Sequence, residues 1–178
     1  MAEPSADEVT ARIKRAALRR FAAVGFGSAT VDEIAAEAGV GVATLYRRWP
    51  DKAALGNDLL SDYLSDLESI YQPVEGGTAK RRFLAAWHQI WITMSAEPDR
   101  FVFGEANTHA SFVSEEVYAR KKQLVERSTE VLADLGIRAN PLTAAAMILG
   151  TMMAILRDGL EVDPDDLGER LWIALKQA

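Results

Sequence analysis

Apolar residues recur at every third or fourth position along almost the whole chain of 178 residues. The first such series runs from Val9 to Val24 through Ile13, Ala17 and Phe21. This spacing places side chains on one face of a helix, whereas no segment shows the alternation typical of a half-buried strand. The pattern therefore restricts the chain to an all-α fold. We predict helices over residues 7–24, 30–39, 42–49, 51–71, 79–96, 99–106, 111–135, 141–159 and 165–176.

Composition excludes several kinds of functional site. The chain has no cysteine, so disulfides, thiol catalysis and zinc–thiolate sites are excluded. Glu105 and His109 stand four residues apart, but with two histidines in the whole sequence we expect no metal site. The sequence also lacks a nucleophile elbow, a phosphate-binding glycine loop and a dinucleotide fingerprint. We therefore predict neither an enzyme nor a bound cofactor.

The ends and the apolar runs of the chain indicate a location. The first residues, 1–7, are polar and expected to fray, and they lack a basic-then-apolar signal pattern. The longest nearly uncharged run, residues 141–156, is shorter than the roughly 20 residues that a membrane span needs. We expect a cytoplasmic protein without membrane contact.

Charge is distributed unevenly. The chain carries a net charge of −6, yet residues 1–52 hold eight Lys and Arg against seven Asp and Glu. Residues 12–20 contain five basic residues and no acid. A chain divided in this way can present a basic face to an anionic partner while its acidic remainder stays in solution. Two interpretations of this basic run are equally open: its side chains are simply solvated, or they lie close to phosphates of the partner.

The segment from residue 30 to residue 52 has the organisation of a helix-turn-helix. Thr30 and Glu33 fit a capping box that begins one helix, and Gly39-Val40-Gly41 provides a tight turn before the next. Leu45 and Trp49 are expected to face the core. The other side of this second helix is then left to face outward.

The outward residue types suit DNA. An Arg can bond guanine with two parallel hydrogen bonds, small apolar groups can lie against thymine methyls, and hydroxyl and ammonium groups can meet phosphates. The alternative is a plain helical hairpin with a solvated Arg pair. We predict DNA contacts from Thr30, Val42, Ala43, Thr44, Tyr46, Arg47, Arg48 and Lys52.

The stretch VDEIAAEAGVGVATLYRRWPDKAAL resembles the DNA-binding helix-turn-helix of the TetR family of bacterial transcriptional regulators, and the likeness covers roughly residues 10–60. The family commonly has Ser where this chain has Gly41, and Phe where it has Trp49. The resemblance implies an all-helical homodimer. It further implies an N-terminal three-helix head on a palindromic operator, and a C-terminal helical domain whose small-molecule ligand releases the DNA.

This organisation divides the chain into a DNA-binding domain, residues 1–52, and a ligand-binding and dimerisation domain, residues 53–178. The clearest break in the sequence itself is QPVEGGTAK at residues 72–80, which on its pattern alone is the better candidate for a boundary.

The second half is rich in aromatic and methionine side chains. Trp87, Trp91 and Met94 follow one helical face, and such a stripe is more often core than cavity. The resemblance nevertheless implies a cavity for an apolar or aromatic effector, since aromatic walls with a few polar groups are typical of ligand pockets. We predict ligand contacts from Trp87, His88, Trp91, Met94, Phe101, Phe103, His109 and Phe112.

The run PLTAAAMILGTMMAIL is apolar on every side, and in a protein this small such a helix indicates a second subunit. The last helix carries a companion stripe of leucines, so a four-helix interface with two helices from each protomer is expected. We predict dimer contacts from Leu142, Ala145, Ala146, Leu149, Met152, Met153, Leu156, Leu167, Leu171 and Leu175, with Ile148 and Ile155 on the far side.

Together these patterns predict a ligand-responsive DNA-binding transcriptional regulator, most simply a repressor. The alternative from another class is a helical small-molecule-binding or structural dimer that does not bind DNA.

Overall fold

The computed structural model describes residues 5–71, 76–137 and 139–177. These ranges contain helices and no strand, so the predicted all-α fold is confirmed. Residues 1–4 of the predicted frayed start, and residues 72–75 of the break at QPVEGGTAK, lie outside the described residues. The other three residues predicted to fray are ordered, since Ser5 caps α1 and Ala6 and Asp7 belong to it. The helices are α1 (Ala6–Ser28), α2 (Val31–Ala38), α3 (Val42–Tyr46), α4 (Lys52–Ile70), α5 (Ala79–Ala96), α6 (Pro98–Asn107), α7 (Glu115–Asp134), α8 (Pro141–Asp158) and α9 (Pro164–Gln177).

Side-chain caps explain where the helices begin. The Ser5 and Thr30 hydroxyls each accept from the amide three residues ahead, and the capping Glu of each helix reaches back to the same Ser or Thr. Asp51 caps α4 by accepting from the Ala54 amide at 2.7 Å. The prediction for α7 was four residues too early, because Ser114 takes the capping position and accepts from the Val117 amide.

We call residues 5–52 the head, which holds α1–α3 and the first residue of α4, and we call the rest of α4 together with α5–α9 the body. In the head, α1 packs across α2, and α3 follows α2 through a tight turn. The fourth helix leaves the head and packs against α5, α6 and α7. In the body, α8 lies against α6 and α7, whereas α9 packs mainly on α5. The sixth helix also touches α1, so the head rests on the body through more than its covalent link.

The eighth helix is apolar on every side, as predicted, but its buried face differs from the predicted one. The helix buries Ala144, Ile148, Met152 and Ile155 against its own chain, so Ile148 and Ile155 face the core and not the far side. Only 22% of its 18 residues are buried, and by length and composition alone the helix could cross a membrane, which corrects the expectation that this run is too short.

The predicted dimer residues divide into two groups. Met152, Leu171 and Leu175 are enclosed by their own chain and have no surface to offer a partner. The other seven keep exposed area, and Leu142 is 62% exposed. Ile173 on α9, absent from the prediction, is 51% exposed. For the seven exposed residues, contact with a partner stays a prediction.

Candidate DNA-binding site and ligand cavity

The turn between α2 and α3 is fixed by backbone hydrogen bonds. Gly39 ends α2 with a φ of 64°, a left-handed conformation that favours glycine. Its amide and that of Val40 return to the carbonyls of Ala36 and Ala35 at 3.1 and 3.0 Å. Gly41 then begins α3 without a side-chain cap. The turn is therefore rigid even though α3 is only one and a half turns long.

The third helix is held by one face and exposes the other. Leu45 is fully buried, and Trp49 is buried with its indole Nε1 donating to Asp58 Oδ2 on α4 at 2.9 Å. The expectation that both side chains face the core is confirmed. On the opposite side the structure brings together five predicted DNA-binding residues that are exposed or half-buried, namely Val42, Ala43, Thr44, Tyr46 and Arg47.

Arg47 and Arg48 have different surroundings. Arg47 is exposed, and its Nη2 donates to Thr44 Oγ1 at 3.1 Å within α3. Arg48 is half-buried and spans to α1, where its Nε donates to Thr10 Oγ1 at 3.0 Å and its Nη2 to the Ala6 carbonyl at 3.2 Å. Arg48 thus links the end of α3 to the first turns of α1, while the Arg47 guanidinium remains on the outward face.

Lys52 and Thr30 are engaged within the head. The Lys52 ammonium donates to the carbonyls of Phe26, Gly27 and Ala29 at 2.7, 3.0 and 2.8 Å, which accounts for its three donors. The Thr30 hydroxyl is shared with Glu33 in the capping box. The phosphate contacts predicted for both residues stay predictions, but this geometry leaves the Lys52 ammonium without a spare donor.

The basic run of α1 holds the helices of the head together and ties the head to α4 of the body. Arg12 donates to the Ala38 and Gly39 carbonyls at the end of α2, and Lys14 lies 3.0 and 2.8 Å from Asp58 and Asp62 on α4. Ion pairs also join α1 to α2 at Arg19–Glu37 and Arg20–Glu33, both at 2.6 Å.

These pairs give the basic run a structural role, and its proximity to phosphate stays a prediction. The Thr30 amide, together with Arg20, lowers the pKa of Glu33, which keeps that carboxylate ionised. Arg15 is exposed. The run therefore acts mostly within the protein, a role that the acids on α2 and α4 could have indicated from the sequence.

A cavity of about 270 Å³ lies in the body between α4, α5, α7 and α8. Its wall is mainly apolar, and Arg82 and Asp134 form an ion pair among its lining residues. The residues around it are Ile70, Tyr71, Arg82, Phe83, Ala86, Trp87, Ile90, Arg127, Ser128, Glu130, Val131, Leu132, Asp134, Leu135, Ala145, Ile148 and Leu149. The cavity has the apolar walls and few polar groups of a small-molecule site.

Of the eight predicted ligand residues, Trp87 lines this cavity. Trp91 packs beside it, and Met94 and Phe101 are core residues. His88 is exposed on α5, with Nδ1 3.7 Å from Asp165 Oδ1. The aromatic stripe on α5 is thus largely core, as such stripes commonly are.

The remaining three lie on the side of the body nearer the head. Phe103 and Phe112 contact phenylalanines of α1, and His109 is exposed with Nε2 2.9 Å from the Lys121 ammonium. None of the three lines a cavity described here. Sequence spacing did not identify the wall that α7 contributes, because those residues read as an ordinary amphipathic face.

A smaller cavity of about 60 Å³ shares Tyr71, Ser128, Ala145 and Leu149 with the larger one. Tyr63, Glu105 and Lys121 give it a polar end, where the Tyr63 hydroxyl donates to the Glu105 carboxylate. Burial, with Glu105 nearby, raises the pKa of Tyr63 well above its ordinary value and that of Tyr71 to about 12. Both phenols therefore keep their protons near neutral pH and can act as donors.

Comparisons with known proteins agree with this geometry. Residues 13–59 match the family model of bacterial regulatory proteins, tetR family. None of the curated proteins matches the chain.

Solved structures share the fold over nearly the full length. A bacterial regulatory protein in the tetR family from Rhodococcus RHA1 is 21% identical with a TM-score of 0.75, covering 95% of this chain and 96% of that one. NalD, the secondary repressor of the MexAB-OprM multidrug efflux pump in Pseudomonas aeruginosa, is 20% identical with a TM-score of 0.68, covering 97% of both chains.

FadR from Bacillus subtilis, solved in complex with stearoyl-CoA, is 18% identical with a TM-score of 0.60, covering 93% of this chain and 97% of that one. The family-model match includes both helices of the helix-turn-helix, α2 and α3. The structural matches extend over both the head and the body. Residues 13–59 of this chain therefore match the family model of the TetR regulators, and the chain has the overall fold of solved structures of such regulators.

Proposed function

We propose that the protein is a ligand-responsive transcriptional regulator, a repressor that binds a palindromic operator as a homodimer. The observation that carries the proposal is the outward face of α3, presented by a rigid helix-turn-helix within the segment that matches the TetR family model. A helix held in this way can enter the major groove, where each base pair presents its own pattern of donors and acceptors.

The residues of this face divide into base-reading and positioning contacts. Arg47 carries two parallel donors that suit guanine O6 and N7, and Val42 and Ala43 suit thymine methyls. The Tyr46 hydroxyl, on a side chain that is 50% exposed, suits a phosphate. The acidic remainder of the chain keeps the protein from binding nucleic acid elsewhere on its surface.

Dimerisation is proposed through α8 and α9. Leu142 and Ile173 stand exposed on these helices, and an apolar helix with so little burial in its own chain requires cover in water. A two-fold pair of heads would then read half-sites about 34–36 Å apart, one turn of the double helix.

The effector is proposed to be an apolar or aromatic molecule bound in the 270 Å³ cavity. Ile70 and Tyr71 place the end of α4 in the cavity wall. Nearer the start of α4, Asp58 accepts a hydrogen bond from the Trp49 indole of the head. An occupant can thus bias the position of the head by its differential affinity for the two head positions, commonly about 1–3 kcal/mol. Release of DNA by the effector is the expected direction for a repressor.

We place the boundary between the two domains at residues 52 and 53, where the capped start of α4 leaves the head. A protein of this kind acts in the cytoplasm. No enzyme activity is proposed. The competing function is a small-molecule-binding or structural dimer that does not bind DNA, and the cavity alone is compatible with it.

Selection of bound fragments from random-sequence DNA, followed by gel shift, tests the proposal. Enrichment of a palindrome with half-sites about one helical turn apart is expected. Failure to enrich any sequence, together with stabilisation by small apolar compounds in a thermal-shift screen, would establish the competing function instead.

A further inference from the structure

Four phenylalanine rings join the head to the body. Phe21 and Phe26 come from α1, Phe103 comes from α6, and Phe112 comes from the loop between α6 and α7. Phe21 stacks on Phe103 with ring centroids 5.2 Å apart, and Phe26 stacks on Phe112 at 3.7 Å with an angle of 16° between planes. We call these four residues the phenylalanine joint. No ring of the joint lines either cavity described above.

Two glycines make the joint possible. Gly25 has a φ of 81°, which breaks the regular path of α1 one residue before Phe26 and which other residues rarely adopt. Gly56 on α4 lies beneath both stacked rings, where an added Cβ would be 2.8 Å from Phe26 Cε2 and 2.8 Å from Phe112 Cε2. The Lys52 ammonium lies over the Phe26 ring, 4.9 Å from its centroid. The rings are therefore held from several sides.

The loop that carries Phe112 is fastened at both ends. Asn57 on α4 donates to the Phe112 carbonyl at 2.9 Å and accepts from the Ser114 amide at 2.8 Å. At the other end, the Lys121 ammonium on α7 contacts Thr108 Oγ1 and His109 Nε2. The Phe112 carbonyl, the Phe112 ring and the Ser114 amide thus each have a partner on another helix.

We propose that Phe112 is a positioning residue for DNA binding: its stacking on Phe26 fixes the orientation of the head on the body and thereby the half-site spacing that the dimer reads. The inference rests on the proposed function, since spacing has meaning only for a dimer on a two-part operator. Phe112 stacks on Phe26 of α1, and α1 packs on α2 of the helix-turn-helix, so Phe112 acts through α1.

The same loop gives the cavities access to the joint. Lys121, which anchors Thr108 and His109, also lines the smaller cavity with Glu105 and Tyr63. Gly104, next to Glu105, packs so closely on α4 that an added Cβ would lie 2.3 Å from the Tyr63 ring. Displacement of Lys121 by an occupant would loosen the loop at one end and release the head from its fixed orientation.

The test compares Phe112→Ala with Ser111→Ala, an exposed neighbour in the same loop. Operator DNA selected with the unmodified protein is varied in half-site spacing by one and two base pairs, and a single half-site is measured alongside. The unmodified protein and the Ser111 variant should prefer the selected spacing by roughly tenfold or more, because two fixed heads bind bivalently only at the matching span.

For Phe112→Ala we expect this preference to fall to within about threefold, with half-site affinity unchanged within about twofold, because a loosened head accepts several spans. Asn57→Ala, which removes the loop anchor and keeps the ring, should shift the spacing profile in the same direction. Asn57→Ala also tests the proposal by itself if Phe112→Ala does not fold.

An unaltered spacing profile in the two variants would overturn the proposal. Equal losses on the half-site and the full operator would overturn it as well, since they would indicate damage to the helix-turn-helix itself. Absence of DNA binding by the unmodified protein would contradict the proposed function, an outcome separate from these two.

Discussion

The head uses its polar side chains to fix structure, whereas the body uses its apolar side chains to enclose space. In the head, Arg12, Lys14, Arg48 and Lys52 each reach from one helix to the backbone or carboxylates of another. In the body, aromatic and aliphatic side chains from α4, α5, α7 and α8 surround a cavity of about 270 Å³. In the head, the two short helices α2 and α3 are thus locked against the long α1, whereas the body leaves a cavity between its helices.

This difference shows how one chain combines rigidity with response. Helices as short as α2 and α3 bury little apolar surface, so ion pairs and caps help to set the geometry that base recognition needs. The longer helices of the body bury more apolar surface and can leave a cavity between them. The cavity lowers the stability of the protein, and a ligand that binds in it restores part of that loss. The predictions below separate the two regions by changing one and measuring the other.

The largest effect is expected at the proposed dimer interface of the body. Leu142→Glu or Ile173→Glu places a charge on an apolar helix face, and an uncompensated buried charge costs about 3–5 kcal/mol. Sedimentation should show monomers that bind the full operator poorly. Tyr118→Glu, at an exposed position on α7, is the matched control and should stay dimeric. A Leu142→Glu or Ile173→Glu protein that stays dimeric would exclude the proposed interface, and a stable, fully active monomer would show that operator binding does not need the dimer.

In the core of the head, Leu45→Ala should reduce the free energy of unfolding of the head by about 2–5 kcal/mol, because Leu45 is fully buried. DNA binding should be lost, while binding of N-phenylnaphthylamine, a neutral apolar probe, to the body should persist. Denaturant unfolding measures the stability of the head, and probe fluorescence measures binding to the body. Thr44→Ala, one residue away on the outward side, is the control for stability. Loss of probe binding with Leu45→Ala would show that head and body do not respond separately.

Lys52→Ala tests whether a basic residue of the head is structural. Loss of its hydrogen bonds to three carbonyls should lower the free energy of unfolding by about 1–3 kcal/mol. The slope of operator affinity against salt concentration should not change, since no phosphate contact is removed. A slope lower by about one unit would instead support the contact predicted from the sequence.

In the body, Ala86→Trp should lower affinity for N-phenylnaphthylamine about tenfold, equivalent to about 1.4 kcal/mol, because Ala86 lines the cavity and the new ring would occupy it. Ala85→Trp, at the adjacent exposed position on α5, should leave the affinity unchanged. Equal effects from the two substitutions would mean that the probe binds elsewhere.

The head was largely predictable from its sequence because its determinants are local. The Thr30 capping box and the Gly39 turn each act within a few residues, so the helices and the outward face of α3 follow from short patterns. The roles of Arg48 and Lys52 did not follow, since their partners lie on α1, more than 20 residues away. The sequence shows that both residues are basic, but it does not show their hydrogen-bond partners, because those depend on how the helices pack.

The body was predictable in its helices but not in its cavity. Periodicity identifies the buried face of α5, yet a buried face beside a cavity and one against a neighbouring helix have the same spacing. Phe103 and Phe112 were therefore assigned to a ligand site, although the structure places them in the phenylalanine joint. The buried face of α8 was misplaced because a helix that is apolar all round gives no stripe from which to choose.

The central claim is that the outward face of α3 reads DNA and that Arg47, rather than the adjacent Arg48, makes the base contact. The most direct test is selection from random-sequence DNA with the unmodified protein, Arg47→Ala and Arg48→Ala. We expect Arg47→Ala to enrich the same palindrome with one position in each half-site relaxed, at a cost of about 1–3 kcal/mol on the preferred operator. Arg48→Ala should keep the full base preference and lose affinity evenly. A relaxed position with Arg48→Ala and an unaltered motif with Arg47→Ala would contradict the account.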